Sequence, residues 1–190
     1  LHSLRRRQRQ MCIRDSVYTV ILLPSLTNYL VGRSMKELLV CEDGVLYQVV
    51  SRQERALFRD LMNRYNVYGY VGQAPMMFKR MDIVYCKKND WCVLFTIHLV
   101  NNFNLAVKYK LPLKHTWFLR RVACIEKCKE KYGHVTLEAY RCLIQFLKKL
   151  KAKAIISLVV MGSGATYKYL DFKEIGKTVN GKGRWFVLWL

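Results

Sequence analysis

Three groups of residues in this chain have types and spacing that could do chemistry. The first surrounds the loop Asn66–Pro75, NVYGYVGQAP, with Tyr65, Tyr68 and Tyr70 ahead of the basic pair Lys79 and Arg80. Aromatic rings beside glycines can stack on exposed bases while cations hold phosphates. The same residues also suit a surface loop with half-buried tyrosines. The second group is the run EKCKEKYGHVT, Glu126–Thr136. Lys127, Lys129 and Lys131 offer point charges to a phosphate. Gly133, His134, Val135 and Thr136 lead into a helix, whose start presents unpaired N–H donors and a positive dipole to an anion. The third is Tyr167, on a short segment with Tyr169 beside it. A phenol facing a cleft can give up a proton, whereas one facing a core only packs.

Sulfur and imidazole chemistry is less well supported. The seven cysteines, at 12, 41, 86, 92, 124, 128 and 142, are odd in number and irregularly spaced. They read as free thiols of a reducing cytosol, and the expected location is cytoplasmic. Cys124, Cys128 and His134 lack a fourth ligand and the tight pairing of a zinc site, so no metal is expected. A cysteine nucleophile working with His98, His115 or His134 has no local motif behind it, and buried cysteine is the common case.

Charge points to the class of partner. Lys and Arg number 33 against 13 Asp and Glu, a formal net charge of +20. The excess gathers late, from Lys108 through Lys131 and again from Arg141 to Lys153. A surface of this kind favours polyanions: nucleic acid, DNA included, or a phosphorylated cofactor.

The elements that must position these groups follow from periodicity and turn residues. Glu37–Val40 and Val45–Val50 read as strands around the Glu42–Gly44 turn. Ser51 then caps a helix, with Glu54 at capping-box spacing and Ala56, Leu57, Leu61 and Tyr65 on one face. Ile83–Cys86 and Val93–Leu99 read as strands joined by the polar turn Lys87–Asp90. Asn101, Asn102 and Asn104 mark another turn before Leu105–Tyr109. Trp117–Ile125 is a strong strand, and a basic loop, Glu126–Val135, follows it. Thr136 is the expected cap of the helix LEAYRCLIQFLKKLK, with Leu137, Tyr140, Leu143, Ile144 and Leu147 on one face. Ala154–Val160 is a β-branched run ending at glycines, which suits a strand covered on both faces. Glycines 162 and 164 then turn the chain into a short helix anchored by Tyr167, Leu170 and Phe172. Gly181 and Gly183 mark a hairpin closed by RWFVLWL.

The C-terminal run Gly162-Ser163-Gly164-Ala165-Thr166-Tyr167-Lys168-Tyr169-Leu170-Asp171-Phe172-Lys173-Glu174-Ile175-Gly176-Lys177-Thr178 resembles the end of the Gcn5-related N-acetyltransferase (GNAT) fold. It is most similar there to phage GNAT-like proteins related to the DNA-modification protein Mom. The resemblance covers the last third to half of the chain. It implies a single α/β domain: a mixed, mostly antiparallel central sheet with a splayed parallel strand pair, flanked by helices. It also implies an acyl-CoA donor such as acetyl-CoA, an amine acceptor on DNA bases or elsewhere, and Tyr167 as the general acid for the departing thiolate. The coenzyme A pyrophosphate would lie at Glu126–Thr136, against Lys127, Lys129, Lys131, Gly133, His134, Val135 and Thr136. There the chain departs from the family, because the usual Q/R-x-x-G-x-G/A loop is missing. Tyr65, Tyr68, Tyr70, Lys79 and Arg80 would lie on the acceptor or nucleic-acid side. The alternative reading is a non-catalytic nucleic-acid-binding protein on a degenerate GNAT scaffold.

Residues 3–16, SLRRRQRQMCIRDS, resemble a translated sequencing adapter, and Met35 is a plausible start. Residues 1–34 are therefore expected to be a foreign or untranslated leader and 35–190 the folded domain. The apolar stretch after residue 16 is broken by Pro24, Ser25, Thr27 and Asn28 and is too short and polar to span a bilayer.

Overall fold

A computed structural model describes residues 35–70, 78–100, 102–160 and 164–190. The expectations for residues 1–34, for the loop beyond Tyr70 and for Gly162 and Ser163 lie outside the described residues.

Eight strands form one sheet in the order β1-β2-β3-β4-β5-β6-β8-β7. In chain order the elements are β1 (Lys36–Val40), β2 (Val45–Gln48), α1 (Arg52–Tyr65), β3 (Phe78–Lys87), β4 (Asp90–Leu99), α2 (Phe103–Lys108), β5 (Thr116–Cys124), α3 (Glu126–Tyr132), α4 (Val135–Lys149), β6 (Ala154–Val159), α5 (Ala165–Tyr169), β7 (Lys173–Lys177) and β8 (Arg184–Trp189). Every neighbouring pair is antiparallel except β5 and β6. This is the mixed sheet with one parallel pair that the sequence implied.

The parallel pairing is short. It runs from Thr116 opposite Ala154 to Leu119 opposite Ser157 and then stops, although β5 continues to Cys124 and β6 to Val159. Beyond Leu119 the two strands line opposite sides of a cleft. Both faces of the sheet are covered. Alternate residues of β6 divide between two cores: Ile155 and Val159 pack with Phe58 and Met62 of α1 and with Ala139, Leu143 and Leu147 of α4, while Ala154 and Ile156 pack with Ala106 of α2, Leu111 and Val187. That alternation is the period of two expected of a strand with helices on both faces.

Local chemistry explains most boundaries. The Ser51 hydroxyl accepts from the Glu54 N–H at 3.2 Å, and the Glu54 carboxylate accepts from the Ser51 N–H at 3.0 Å. This is the reciprocal box read in the sequence. The β3–β4 hairpin turns through Lys88 and Asn89, both at positive φ, a conformation that asparagine tolerates.

Four expectations need correction. The asparagine cluster opens a helix rather than a turn: the Asn102 side chain accepts from the Leu105 N–H at 3.0 Å and caps α2. The basic stretch after β5 is not a loop up to Val135, because residues 126–132 form α3. Its Lys and Glu residues are good helix formers, and one buried residue, Cys128, suffices to seat it on the core. Thr136 does not cap α4; His134 occupies that position without a side-chain bond. Lastly, Cys41 and Cys142 are not free thiols but form a disulfide, their Cα atoms 6.0 Å apart across a separation of 101 residues. The fold lays α4 against β1 and β2, which nothing in the cysteine spacing foretells. Cys86, Cys92, Cys124 and Cys128 are free.

Candidate active site

Where the parallel ladder ends, a cleft of about 640 Å³ opens between β5 and β6. Asn66 and Tyr68 line it from beyond α1, Thr136 and Tyr140 from α4, Thr166 and Tyr167 from α5, and Trp185 from β8. Residues Phe118 to Val122 line the β5 side, and Ser157 to Val160 the β6 side.

Tyr167 reaches this cleft because of Gly164. Gly164 caps α5 at φ +71°, in the left-handed region, and a Cβ there would meet the Phe186 ring at 2.7 Å. The close approach lets the Tyr167 ring stack on Phe186, with centroids 5.6 Å apart and planes at 24°. Edges of Phe172 and Tyr140 meet the ring at 5.2 and 5.9 Å.

The Tyr167 hydroxyl lies at the centre of a hydroxyl cluster. Tyr140 Oη is 3.2 Å from it and Ser157 Oγ 2.9 Å. Ser157 Oγ also lies 3.1 Å from the Leu119 carbonyl oxygen, at the last rung of the parallel ladder. Ser157 has one proton and serves one acceptor at a time. With that proton on Leu119, Tyr167 donates to Ser157. With it on Tyr167, the phenol oxygen accepts from both neighbours and its own proton is free to enter the cleft. Burial holds the Tyr140 phenol well above its ordinary range, so Tyr140 remains a donor.

The donor-side candidates sit together at the α3–α4 junction. Lys127 and Lys129 are exposed on α3, while Lys131 pairs with Asp90 at 2.8 Å. Gly133 takes φ +64° where the chain turns into α4, and His134 is exposed beside it. Val135 is buried, and the Thr136 hydroxyl donates to Cys124 Sγ at 3.2 Å on the cleft wall. No side chain caps α4; the Leu137 and Glu138 N–H groups donate to the His134 carbonyl at 2.9 and 3.2 Å, which leaves those of Val135 and Thr136 to face an anion.

The acceptor-side candidates are divided. Tyr68 is exposed at the cleft, with the Arg121 guanidinium 5.2 Å above its ring. Tyr65 packs against the core and does not line the cleft. Tyr70 is held by Phe58 and by Arg80, whose guanidinium lies 4.8 Å from the ring. Arg80 itself bonds both Asp82 oxygens, at 2.9 and 3.0 Å, with 8% of its side chain exposed. Lys79 sits at positive φ at the start of β3, where the β3–β4 register shifts. Tyr68, Thr136 and Tyr167 are thus brought to one cleft.

Sequence reasoning missed Ser157, Tyr140, Arg120 and Arg121. The apolar run around Ser157 reads only as a strand, and Tyr140 only as a helix face. Among the described residues no group of three or more His, Cys, Asp or Glu is placed to hold a metal, and no helix is long and apolar enough to cross a membrane.

No family model matches the chain, and no curated protein does. Solved structures do. The ribosomal-protein-S18-alanine N-acetyltransferase from Escherichia coli superposes with TM-score 0.51 at 11% identity, over 76% of this chain and 90% of that one. FeeM, an N-acyl amino acid synthase from uncultured soil microbes, gives 0.55 at 13% identity, over 77% and 91%. A probable acetyltransferase from Staphylococcus epidermidis gives 0.55 at 10%, over 77% and 98%. At such identities the likeness is one of fold alone. With its eight-stranded mixed sheet, its one parallel pair and its flanking helices, the chain is a single α/β domain of GNAT-like fold.

Proposed function

We propose that the chain is an acyl-CoA-dependent N-acyltransferase that transfers an acyl group, acetyl in the simplest case, to an amine. The single observation that carries this reading is the Tyr167 hydroxyl in the cleft between the splayed strands, with hydroxyl donors on two sides. The acyl-CoA supplies the acyl group as a thioester and leaves as a thiol. The Val135 and Thr136 N–H groups at the start of α4, with Gly133 and His134 beside them, fit its pyrophosphate. Lys127, Lys129 and Lys131 add positive charge nearby, although Lys131 shares its charge with Asp90. As the amine nitrogen bonds to the thioester carbon and the C–S bond breaks, Tyr167 gives its proton to the sulfur; Tyr140 and Ser157 steady the oxygen left behind until the proton shed by the nitrogen restores the phenol. The acceptor amine enters past Tyr68, with Tyr65, Tyr70, Lys79 and Arg80 behind it. In its fullest form the reading is a phage-type enzyme acting on DNA bases, supported by the resemblance of the 162–178 run and by the net charge. Isothermal titration with acetyl-CoA tests it. Saturable one-site binding, weakened by Gly133→Val at the junction, supports it; no binding ends it.

A second reading has its own observation. Where the family places a glycine-rich loop, this chain has α3. A protein with that exchange and a net charge of +20 suits a non-catalytic nucleic-acid binder. Its DNA affinity would fall steeply with salt as counterions are released. Binding that ignores salt, or none at low salt, would exclude nucleic acid.

A further inference from the structure

Two arginines in the cleft have no counter-charge among the described residues. Arg120 and Arg121 are consecutive on β5, and both line the cleft. Side chains of a regular strand alternate between faces, so neighbours do not normally share a wall. Here the β4–β5 register shifts: Thr96 pairs with Arg121 and Ile97 with Leu119, leaving Arg120 unopposed. Such an extra residue re-aims the side chains around it.

The Nε atoms of both arginines are buried and have no hydrogen-bond partner among the described residues. Arg121 donates one bond, from Nη1 to the Arg120 carbonyl at 2.9 Å, and stacks over Tyr68. Neither is in an ion pair among the described residues. Asp82, the carboxylate partner of nearby Arg80, is already engaged by Arg80, by the Thr96 hydroxyl at 2.9 Å and by the Tyr70 hydroxyl at 3.4 Å. Of the undescribed stretches, 71–77 and 161–163 contain no acid and 1–34 contains one, Asp15. Burial, and then the charge of a neighbouring arginine, pushes both guanidinium pKa values down. Each guanidinium is half-buried on the cleft wall with its Nε shut off from solvent, a place that disfavours a lone cation and suits one met by an anion.

We propose that Arg120 and Arg121 bind an oxyanion of the acceptor, so that the substrate is an amine carrying a carboxylate or a phosphate. A planar guanidinium fork matches either group with two parallel hydrogen bonds. The proposal rests on the acyltransferase reading for the word acceptor, and the anion site itself rests only on the arginines.

The test uses the full chain and two matched pairs of amines: phenylalanine against phenethylamine, and phosphoethanolamine against ethanolamine. Binding is followed by calorimetry without any acyl donor, in wild type, R120K and the double variant R120Q/R121Q. The member of at least one pair that carries the oxyanion should bind tenfold or more tighter than the member that lacks it, and which pair does so identifies the oxyanion. R120Q/R121Q should erase the preference, and R120K, which keeps the charge but not the fork, should reduce it. Acetyl-CoA affinity should be the same in all three proteins. Equal binding of the amines with and without the oxyanion overturns the proposal. A parallel loss of acetyl-CoA binding in R120Q/R121Q also overturns it, because the arginines would then serve the donor. So does discrimination seen only with a DNA duplex, which would make them backbone contacts. Anion preference in a wild type that never binds acetyl-CoA sinks the acyltransferase reading and leaves the anion site standing.

Discussion

At the scale of single residues, Tyr167 and Ser157 divide two tasks that are easily confused. On the proposed reading Tyr167 holds a proton at the cleft, and Ser157, bonded to either Tyr167 or the Leu119 carbonyl, decides where that proton points. Replacing Tyr167 by Phe removes the hydroxyl but keeps the ring stack on Phe186. The expected result is a drop in turnover of about 10²- to 10⁴-fold, unchanged acetyl-CoA affinity by calorimetry, and a loss of about 1 kcal/mol in a urea melt from the broken hydroxyl cluster. Turnover equal to wild type would make Tyr167 a packing residue. His98 shows a different residue-level effect. Its Nδ1 lies 3.0 Å from the Leu99 carbonyl, while Nε2 is buried without a partner among the described residues. Burial, with Arg120 and Arg80 nearby, holds the imidazole below its usual range. A depressed folded value means that stability is present above the unfolded pKa of about 6.5 and is lost as pH falls below it. Urea midpoints at pH 7.5 and 5.5 should differ in that direction, and less so in His98→Gln.

Elements carry the argument that residues alone cannot. The box between Ser51 and Glu54 fixes where α1 begins, and α1 fixes where Asn66 and Tyr68 enter the cleft. Ser51→Ala should therefore cost about 1 kcal/mol, read as a lowered urea midpoint with activity per folded molecule unchanged. This box was legible in the sequence because both partners sit within one turn. The β6, α5, β7 and β8 segments were legible for a related reason: a β-branched run, two glycine turns and a short amphipathic stretch are local signals. The helix α3 was hidden because its lysines read as a solvated loop, and only burial of Cys128 shows its inner face. The cleft walls were hidden for a deeper reason. Arg120 and Arg121 meet there through a register shift against β4, and Ser157 meets Tyr167 through the end of a parallel ladder. Register between distant strands leaves no mark on either segment alone.

For the whole molecule, the sheet is continuous but unevenly joined. Strands β1 to β5 and strands β6 to β8 share only the four rungs of the parallel pair. The covalent link between Cys41 and Cys142 braces the first group, tying β1 to α4 across 101 residues. On the chain-entropy account, closing a loop near that length stabilises by about 4 to 5 kcal/mol. Reduction with dithiothreitol should shift a urea midpoint downward by an amount approaching that figure, and a Cys41→Ser, Cys142→Ser variant should behave like the reduced protein in either buffer. An unchanged midpoint on reduction would mean that the bond is absent in solution.

That bond also changes what it means to cut this chain. A single backbone cleavage anywhere between Cys41 and Cys142 opens a ring rather than severing a string. The nicked protein would still be one covalent object, running at its full mass on a non-reducing gel and separating into two pieces only when thiol is added. A cleavage in the stretch that carries α5, β7 and β8 falls outside the ring and releases a fragment at once. Limited proteolysis, read with and without reductant, would thus draw the boundary of the ring directly onto the sequence.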